Sequence, residues 1–175
     1  DKIEIAGASS MDIEICKSKT GKNYVEYYDT DDWTSHVDVK DHVLKFTTDD
    51  KGKHKAIVSL GFGKDTAARL YLADAEYKEI SVTTLSGYVT IQDVNAGTVN
   101  VSASSGDIDL ESCDAEKFDI TTSSGDVDME ITAGRAYRFE TKTNSGAVDV
   151  PDGDADSDYL CKIVTSSGDV DVKQK

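Results

Sequence analysis

Ser104-Ser-Gly-Asp-Ile-Asp-Leu110, Ser123-Ser-Gly-Asp-Val-Asp-Met129 and Ser166-Ser-Gly-Asp-Val-Asp-Val172 are one phrase written three times, and Leu85-Ser-Gly-Tyr-Val-Thr-Ile91 and Asn144-Ser-Gly-Ala-Val-Asp-Val150 are looser copies of it. Their glycines, Gly87, Gly106, Gly125, Gly146 and Gly168, lie 19, 19, 21 and 22 residues apart. Self-similarity at that period marks a stacked repeat. Seven and five positions before each glycine stand Ile80 and Val82, Val99 and Val101, Phe118 and Ile120, Phe139 and Thr141, and Cys161 and Ile163, each pair separated by one polar residue. After the glycine the alternation resumes: Val89 and Ile91, Ile108 and Leu110, Val127 and Met129, Val148 and Val150, and Val170 and Val172 face one way. A period of two is the signature of a half-buried strand.

Each unit therefore reads as strand, Ser-Gly corner, strand, short loop. Glycine tolerates the positive φ of a sharp corner, and the neighbouring Ser or Asn can hydrogen-bond its own backbone. Units this short leave no room for helical crossovers, so the chain winds as a coil whose turns pair in parallel about 4.8 Å apart. Parallel crossovers are right-handed by default. The expected fold is all-β: a right-handed parallel β-solenoid of about five coils over residues 80–175. Three before each glycine comes a small or hydroxylic residue, Thr84, Ala103, Thr122, Thr143 or Thr165, as a crowded inner corner requires.

Residues 1–79 are less regular. Ile3-Glu-Ile5 and Asp12-Ile-Glu-Ile15 look like a degenerate unit with Ser9-Ser10-Met11 as its corner, and Tyr24–Tyr28, His36–Lys40, Val43–Thr47 and Ala56–Leu60 also alternate. Asp49-Asp-Lys-Gly52 is a turn signal. This half is expected to be an irregular or antiparallel β cap over the open end of the coil, within one domain of residues 1–175. Residues 67–80 fit either a helix or a strand through Leu70-Tyr-Leu72, and the strand is the preferred reading.

The chain has 175 residues, with 19 Lys plus Arg against 34 Asp plus Glu, a net charge of −15. That field disfavours nucleic acid and anionic lipid. No segment has the apolar length of a membrane span. The chain starts at Asp1, so the expectation is a processed piece whose targeting or anchoring segment has been removed. Cys16, Cys113 and Cys161 have no metal spacing, and Cys161 reads as a small core hydrophobe. Gly61-Phe-Gly-Lys-Asp-Thr-Ala67 resembles a phosphate loop only superficially, because no βαβ unit follows. His36, His42 and His54 share no ligand spacing.

The aspartates carry the remaining chemistry. Stacking brings Asp107 near Asp126, and Asp109 near Asp128, Asp149 and Asp171, an arrangement that repels unless solvent, a cation or a basic partner offsets it. Asp152, Asp154, Asp156 and Asp158 sit at alternate positions of one loop and are the candidate metal residues, for a weak Ca²⁺ site that lacks the glycine and glutamate of an EF-hand. No other cofactor is expected.

The Ser-Ser-Gly-Asp-Val-Asp phrase, repeated after an irregular β segment, resembles a large bacterial family of putative adhesins that includes LiaG-like cell-envelope proteins. The resemblance covers Leu70–Lys175 and the opening unit Ile3–Ile15, with a departure at Leu72-Ala-Asp74, where such sequences often carry Leu-Pro. It implies an extracytoplasmic protein, secreted or anchored to the cell envelope, that is not an enzyme. The expected function is a monomeric surface scaffold binding another macromolecule, protein or polysaccharide. The alternative is a carbohydrate-active β-helix using paired aspartates such as Asp126 and Asp128.

Overall fold

The computed structural model describes residues 1–7, 11–27, 33–50 and 67–175, the side chain of residue 50 aside. Among them the regular structure is all strand, numbered here in chain order, and it forms two faces of one curled sheet. The first face runs β4 (Trp33–Lys40), β5 (Val43–Asp50), β1 (Lys2–Ala6), β7 (Glu76–Ser86), β9 (Asn95–Ser105), the second half of β10 (Ile108–Thr121), β14 (Leu160–Val164) and β12 (Arg138–Lys142). The second runs β3 (Tyr24–Glu26), β6 (Ala67–Leu72), β2 (Asp12–Lys17), β8 (Val89–Gln92), the first half of β10, β11 (Val127–Ile131), β15 (Val170–Gln174) and β13 (Val148–Asp149). Every pairing is parallel except those of β3 and β4, which close one end in antiparallel.

The alternation read from the sequence is the burial pattern observed. Ile80, Val82, Val99, Val101, Phe118, Ile120, Cys161 and Ile163 from the first face meet Val89, Ile91, Ile108, Leu110, Val127, Met129, Val170 and Val172 from the second in one core. At about 25 cal/mol per Å² of buried apolar surface, this shared core is the main stabilising term. Residues 67–80 contain β6 and the start of β7 and no helix. The strand expected at 56–60, the corner at Ser9-Ser10, the Gly61 loop and His54 lie outside the described residues.

At each repeat corner the glycine has a left-handed φ and its backbone lies directly on the next layer. Gly125 has φ 146°, and a Cβ built on it would stand 2.2 Å from the Gly106 carbonyl oxygen; for Gly106, φ is 113° and the distance to the Gly87 oxygen is 2.2 Å. Inside the same corners Thr84, Thr122 and Thr165 are buried, as the small-residue pattern requires.

Two expectations are corrected. The layers do not follow chain order at either end. β14 and β15 insert between the layer of β10 and β11 and the layer of β12 and β13, so Gly168 stacks on Gly125 and Gly146 stacks on Gly168. Likewise β1 and β2 lie between β5 and β6 on one side and β7 and β8 on the other. β1, β2, β5 and β6 are thus parallel strands of the stack, and among the described residues only β3 and β4 act as the antiparallel cap expected for residues 1–79. The second correction follows from the first. β12 and β13 form the outermost layer, covered on one side only, so Val148 is 43% exposed, and Phe139 and Val150 are only partly buried, although the alternation assigns all three to the inside.

Gly125→Ala is expected to cost about 2–4 kcal/mol or more, since it combines a strained φ with backbone overlap. Gly134→Ala supplies the control: its φ is 107° but a Cβ placed there meets nothing within 4 Å, so only the strain of about 1–2 kcal/mol applies. Urea unfolding of both variants measures the difference.

Candidate functional site: the outer face of the second sheet

Where an aspartate follows the corner glycine, as at Asp107, Asp126 and Asp169, it turns out to be structural. Asp107 Oδ1 accepts the backbone N–H of Asp126 at 2.9 Å, Asp126 Oδ1 that of Asp169 at 2.8 Å, and Asp169 Oδ1 that of Ala147 at 2.7 Å. Asp12 Oδ1 does the same for Tyr88 at 2.9 Å. The corner rotates these N–H groups out of the strand ladder, and the carboxylate of the adjacent layer receives them. Asp126 Oδ1 thus serves the backbone of the adjacent layer, whereas Asp128 lies on the flat strand in register with Asp109 and Asp171. Sequence reasoning saw the repulsion between stacked aspartates and missed this hydrogen-bonded chain, although its signal was the constant offset of one residue from the glycine.

The aspartate three residues after the corner glycine, present in four of the five phrases, points outward from the flat strand. Asp109, Asp128, Asp171 and Asp149 stand in direct register, in that spatial order, one strand spacing apart. With Glu111, Glu130 and Lys173 the first three line a shallow depression. Burial, then Glu111 and Asp128, holds the Asp109 carboxyl above the usual carboxylate range. Lys173 Nζ sits 3.0 Å from Asp171 and Lys175 pairs with Glu130, so the carboxylate row is partly offset at its far end.

The same row continues along the face through Thr90, Glu14, Arg69 and Glu26. Arg69 Nε donates to Glu14 Oε2 at 2.6 Å and Arg69 Nη2 to Glu14 Oε1 at 3.2 Å. Two residues along each strand a parallel row carries Glu111, Gln92, Cys16, Tyr71 and Tyr24, with Gln92 Nε2 donating to Glu111 at 2.8 Å. Tyr24 and Tyr71 stack at 4.4 Å between centroids and 14° between planes. The face thus grades from a tyrosine platform to a carboxylate ladder. The tyrosines escaped sequence reasoning because their juxtaposition depends on the antiparallel pairing of β3 with β6, two strands far apart in the chain.

The loop Asp152–Asp158 lies against the crossover before β12: Asp154 N–H donates to the Tyr137 carbonyl at 2.9 Å, and Ser157 Oγ donates to Ala136 O. Asp154 Oδ1 accepts the Asp156 N–H at 3.0 Å. Among the described residues no three His, Cys, Asp or Glu side chains gather as a metal cluster, these four aspartates included. His36 lies 3.3 Å from Asp49 and His42 3.2 Å from Asp1, two separate pairs. Cys113 and Cys161 are buried, and burial pushes both thiols up to about 12, which leaves them unreactive as nucleophiles.

The Toastrack DUF4097 family model matches residues 1–175. Among solved structures, a putative cell adhesion protein from Clostridium sporogenes ATCC 15579 is 18% identical, with 99% of this chain and 93% of that one covered and a TM-score of 0.73. A putative adhesin from Bacteroides fragilis NCTC 9343 is 16% identical, with coverage of 99% and 91% and a TM-score of 0.41. The first is a likeness of fold. No curated protein matches the chain.

Asp126→Ala should destabilise by about 1–2 kcal/mol, since the Asp169 N–H loses its acceptor, whereas Asp126→Asn retains an acceptor oxygen and should cost less than half as much. Asp109→Asn should have the opposite effect. A carboxyl whose folded-state pKa is raised contributes stability below its unfolded pKa and loses it as pH rises through the folded one. At pH 7 and low salt the asparagine variant should therefore melt about 1–3 °C higher than the parent, with the gap closing near pH 3. Thermal melts at the two pH values measure both substitutions.

Proposed function

The chain belongs to the Toastrack DUF4097 family, and from that premise we propose that it is a non-enzymatic scaffold at the bacterial cell surface, secreted or anchored to the envelope, that binds another macromolecule. Its working surface in this reading is the outer face of the second sheet. The observation that carries it is the continuity of that face: a stacked tyrosine pair, an Arg69–Glu14 pair and a four-aspartate ladder share two straight rows on rigid strands. Flat, ordered side-chain rows favour recognition of an extended protein or polysaccharide over capture of a small molecule in a pocket. The name of the Clostridium sporogenes structure, a putative cell adhesion protein, points the same way. The winding is taken as right-handed, the default for parallel crossovers.

A carbohydrate-active reading is kept for one observation. Asp109, raised by burial and by its acidic neighbours, stands in register with Asp128, and two carboxylates in unequal environments are the elements of acid and base work. Release of reducing sugar from acidic or neutral polysaccharides, abolished by Asp128→Asn, would replace the scaffold reading.

Binding of fluorescently labelled protein to intact bacterial cells and to glycan and protein arrays tests the proposal. Tyr24→Ala with Tyr71→Ala should weaken binding at least tenfold, while Lys117→Ala on the other sheet should leave it unchanged. Equal loss in both variants, or binding that ignores the tyrosines, would move the surface elsewhere.

A further inference from the structure

We propose that the C-terminal repeat, residues 160–175, is an exchangeable layer and that a second copy of this chain can fill its slot in trans. The slot is bounded on both sides by the chain's own strands: β14 lies between β10 and β12, and β15 between β11 and β13. Its two walls are cut to the same corner. Ser124 and Ser145 both bridge Ser167, and Gly168 makes backbone contact with Gly125 on one side and Gly146 on the other.

The bonds that hold the layer are mostly backbone bonds. Thr122 N–H donates to Val164 O at 2.9 Å and Val127 N–H to Asp169 O at 2.9 Å from one wall; Thr165 N–H reaches Lys142 O and Val170 N–H reaches Ala147 O, both at 2.9 Å, on the other. These contacts are indifferent to which copy supplies the repeat. They are not indifferent to sequence, because the slot requires a glycine at positive φ and an aspartate after it to accept the Ala147 N–H. That requirement selects the chain's own repeat over an unrelated strand pair.

The only covalent link between the layer and the wall formed by β12 and β13 is the segment 150–159, exposed over most of its length, which carries Asp152, Asp154, Asp156 and Asp158 at alternate positions. Opening this hinge breaks the Asp154 and Ser157 bonds to Tyr137 and Ala136. An exchanged dimer then repeats every layer contact of two monomers and differs only at the hinge, which is the condition under which domain swapping is cheap. The aspartate loop so acquires a role as a hinge.

The test uses the full chain carrying Cys16→Ser, Glu130→Cys and Lys173→Cys, the last two being in direct register across β11 and β15, a spacing that a disulfide can span. The reduced protein is unfolded in denaturant and refolded at low and at high protein concentration, then separated by size with light scattering, oxidised and run on a non-reducing gel. The expected result is a dimer fraction that grows with concentration and in which the disulfide joins two copies, while the monomer is closed within one copy. Protein oxidised before unfolding should return only as monomer. No dimer at either concentration, or a dimer whose disulfides close within each copy, overturns the proposal. Ser124→Cys with Ser167→Cys offers a second reporting pair at the corner should the first variant not fold.

Discussion

Direct contact between backbones at the repeat corner is the constraint on which the rest of this molecule depends. From Gly106 onward each corner glycine lies against the carbonyl of the glycine in the adjacent layer, leaving no volume for a side chain. That contact lets the corner close to the spacing of the strand ladder, and the spacing puts the inward residues of neighbouring layers into one core. It also turns one N–H per layer out of the ladder, which is why an aspartate follows the glycine in Asp107, Asp126 and Asp169. Packing, polar satisfaction and the outward carboxylate ladder are thus consequences of a single local geometry.

The ends of the stack follow from departures within that geometry. Ala147 donates to Asp169 but carries no carboxylate to receive a further layer, and β13 is only two residues long. A layer with these features is suited to be last in space although it is not last in sequence. At the opposite end β3 and β4 run antiparallel and break the parallel series. Unpaired edges that match the repeat invite addition of more strands, and each end is modified against it. Arg135 fixes the connector that skips a layer: its guanidinium lies 2.7 Å from Asp114 Oδ1 and 4.7 Å from the Tyr159 ring centroid.

Most of the architecture was legible in the sequence because period-two alternation and a fixed glycine corner are local signals. Outside the layer of β12 and β13, the inward set from Ile80 to Val172, the buried Thr84, Thr122 and Thr165 and the strand at Leu70–Leu72 all follow from them. Layer order was not legible by the same route, since every repeat can pair with every other. Its traces were weaker: glycine spacings that lengthen to 21 and 22 residues where the chain skips a layer and returns, and Ala147 in place of aspartate. On the candidate surface the carboxylate row was readable from the repeat, but the Tyr24–Tyr71 platform was not, because it arises from a long-range antiparallel pairing. The roles of Asp126 and Asp128 diverge for the same physical reason: one sits at the corner, where it serves the backbone, and the other on the flat strand, where it faces solvent.

A surface reading of function depends on which side chains are neighbours in those rows, and layer order decides that: Asp171, not Asp149, stands beside Asp128. Scalar coupling across hydrogen bonds, measured by NMR on isotopically labelled protein, tests that order most directly. The account predicts a coupling from the Gly125 amide nitrogen to the Ser167 carbonyl carbon, the partner at 3.1 Å, and from the Gly168 amide nitrogen to that of Ser145, at 3.0 Å. A coupling from Gly125 to Ser145 would mean that the layers follow chain order, and would contradict it.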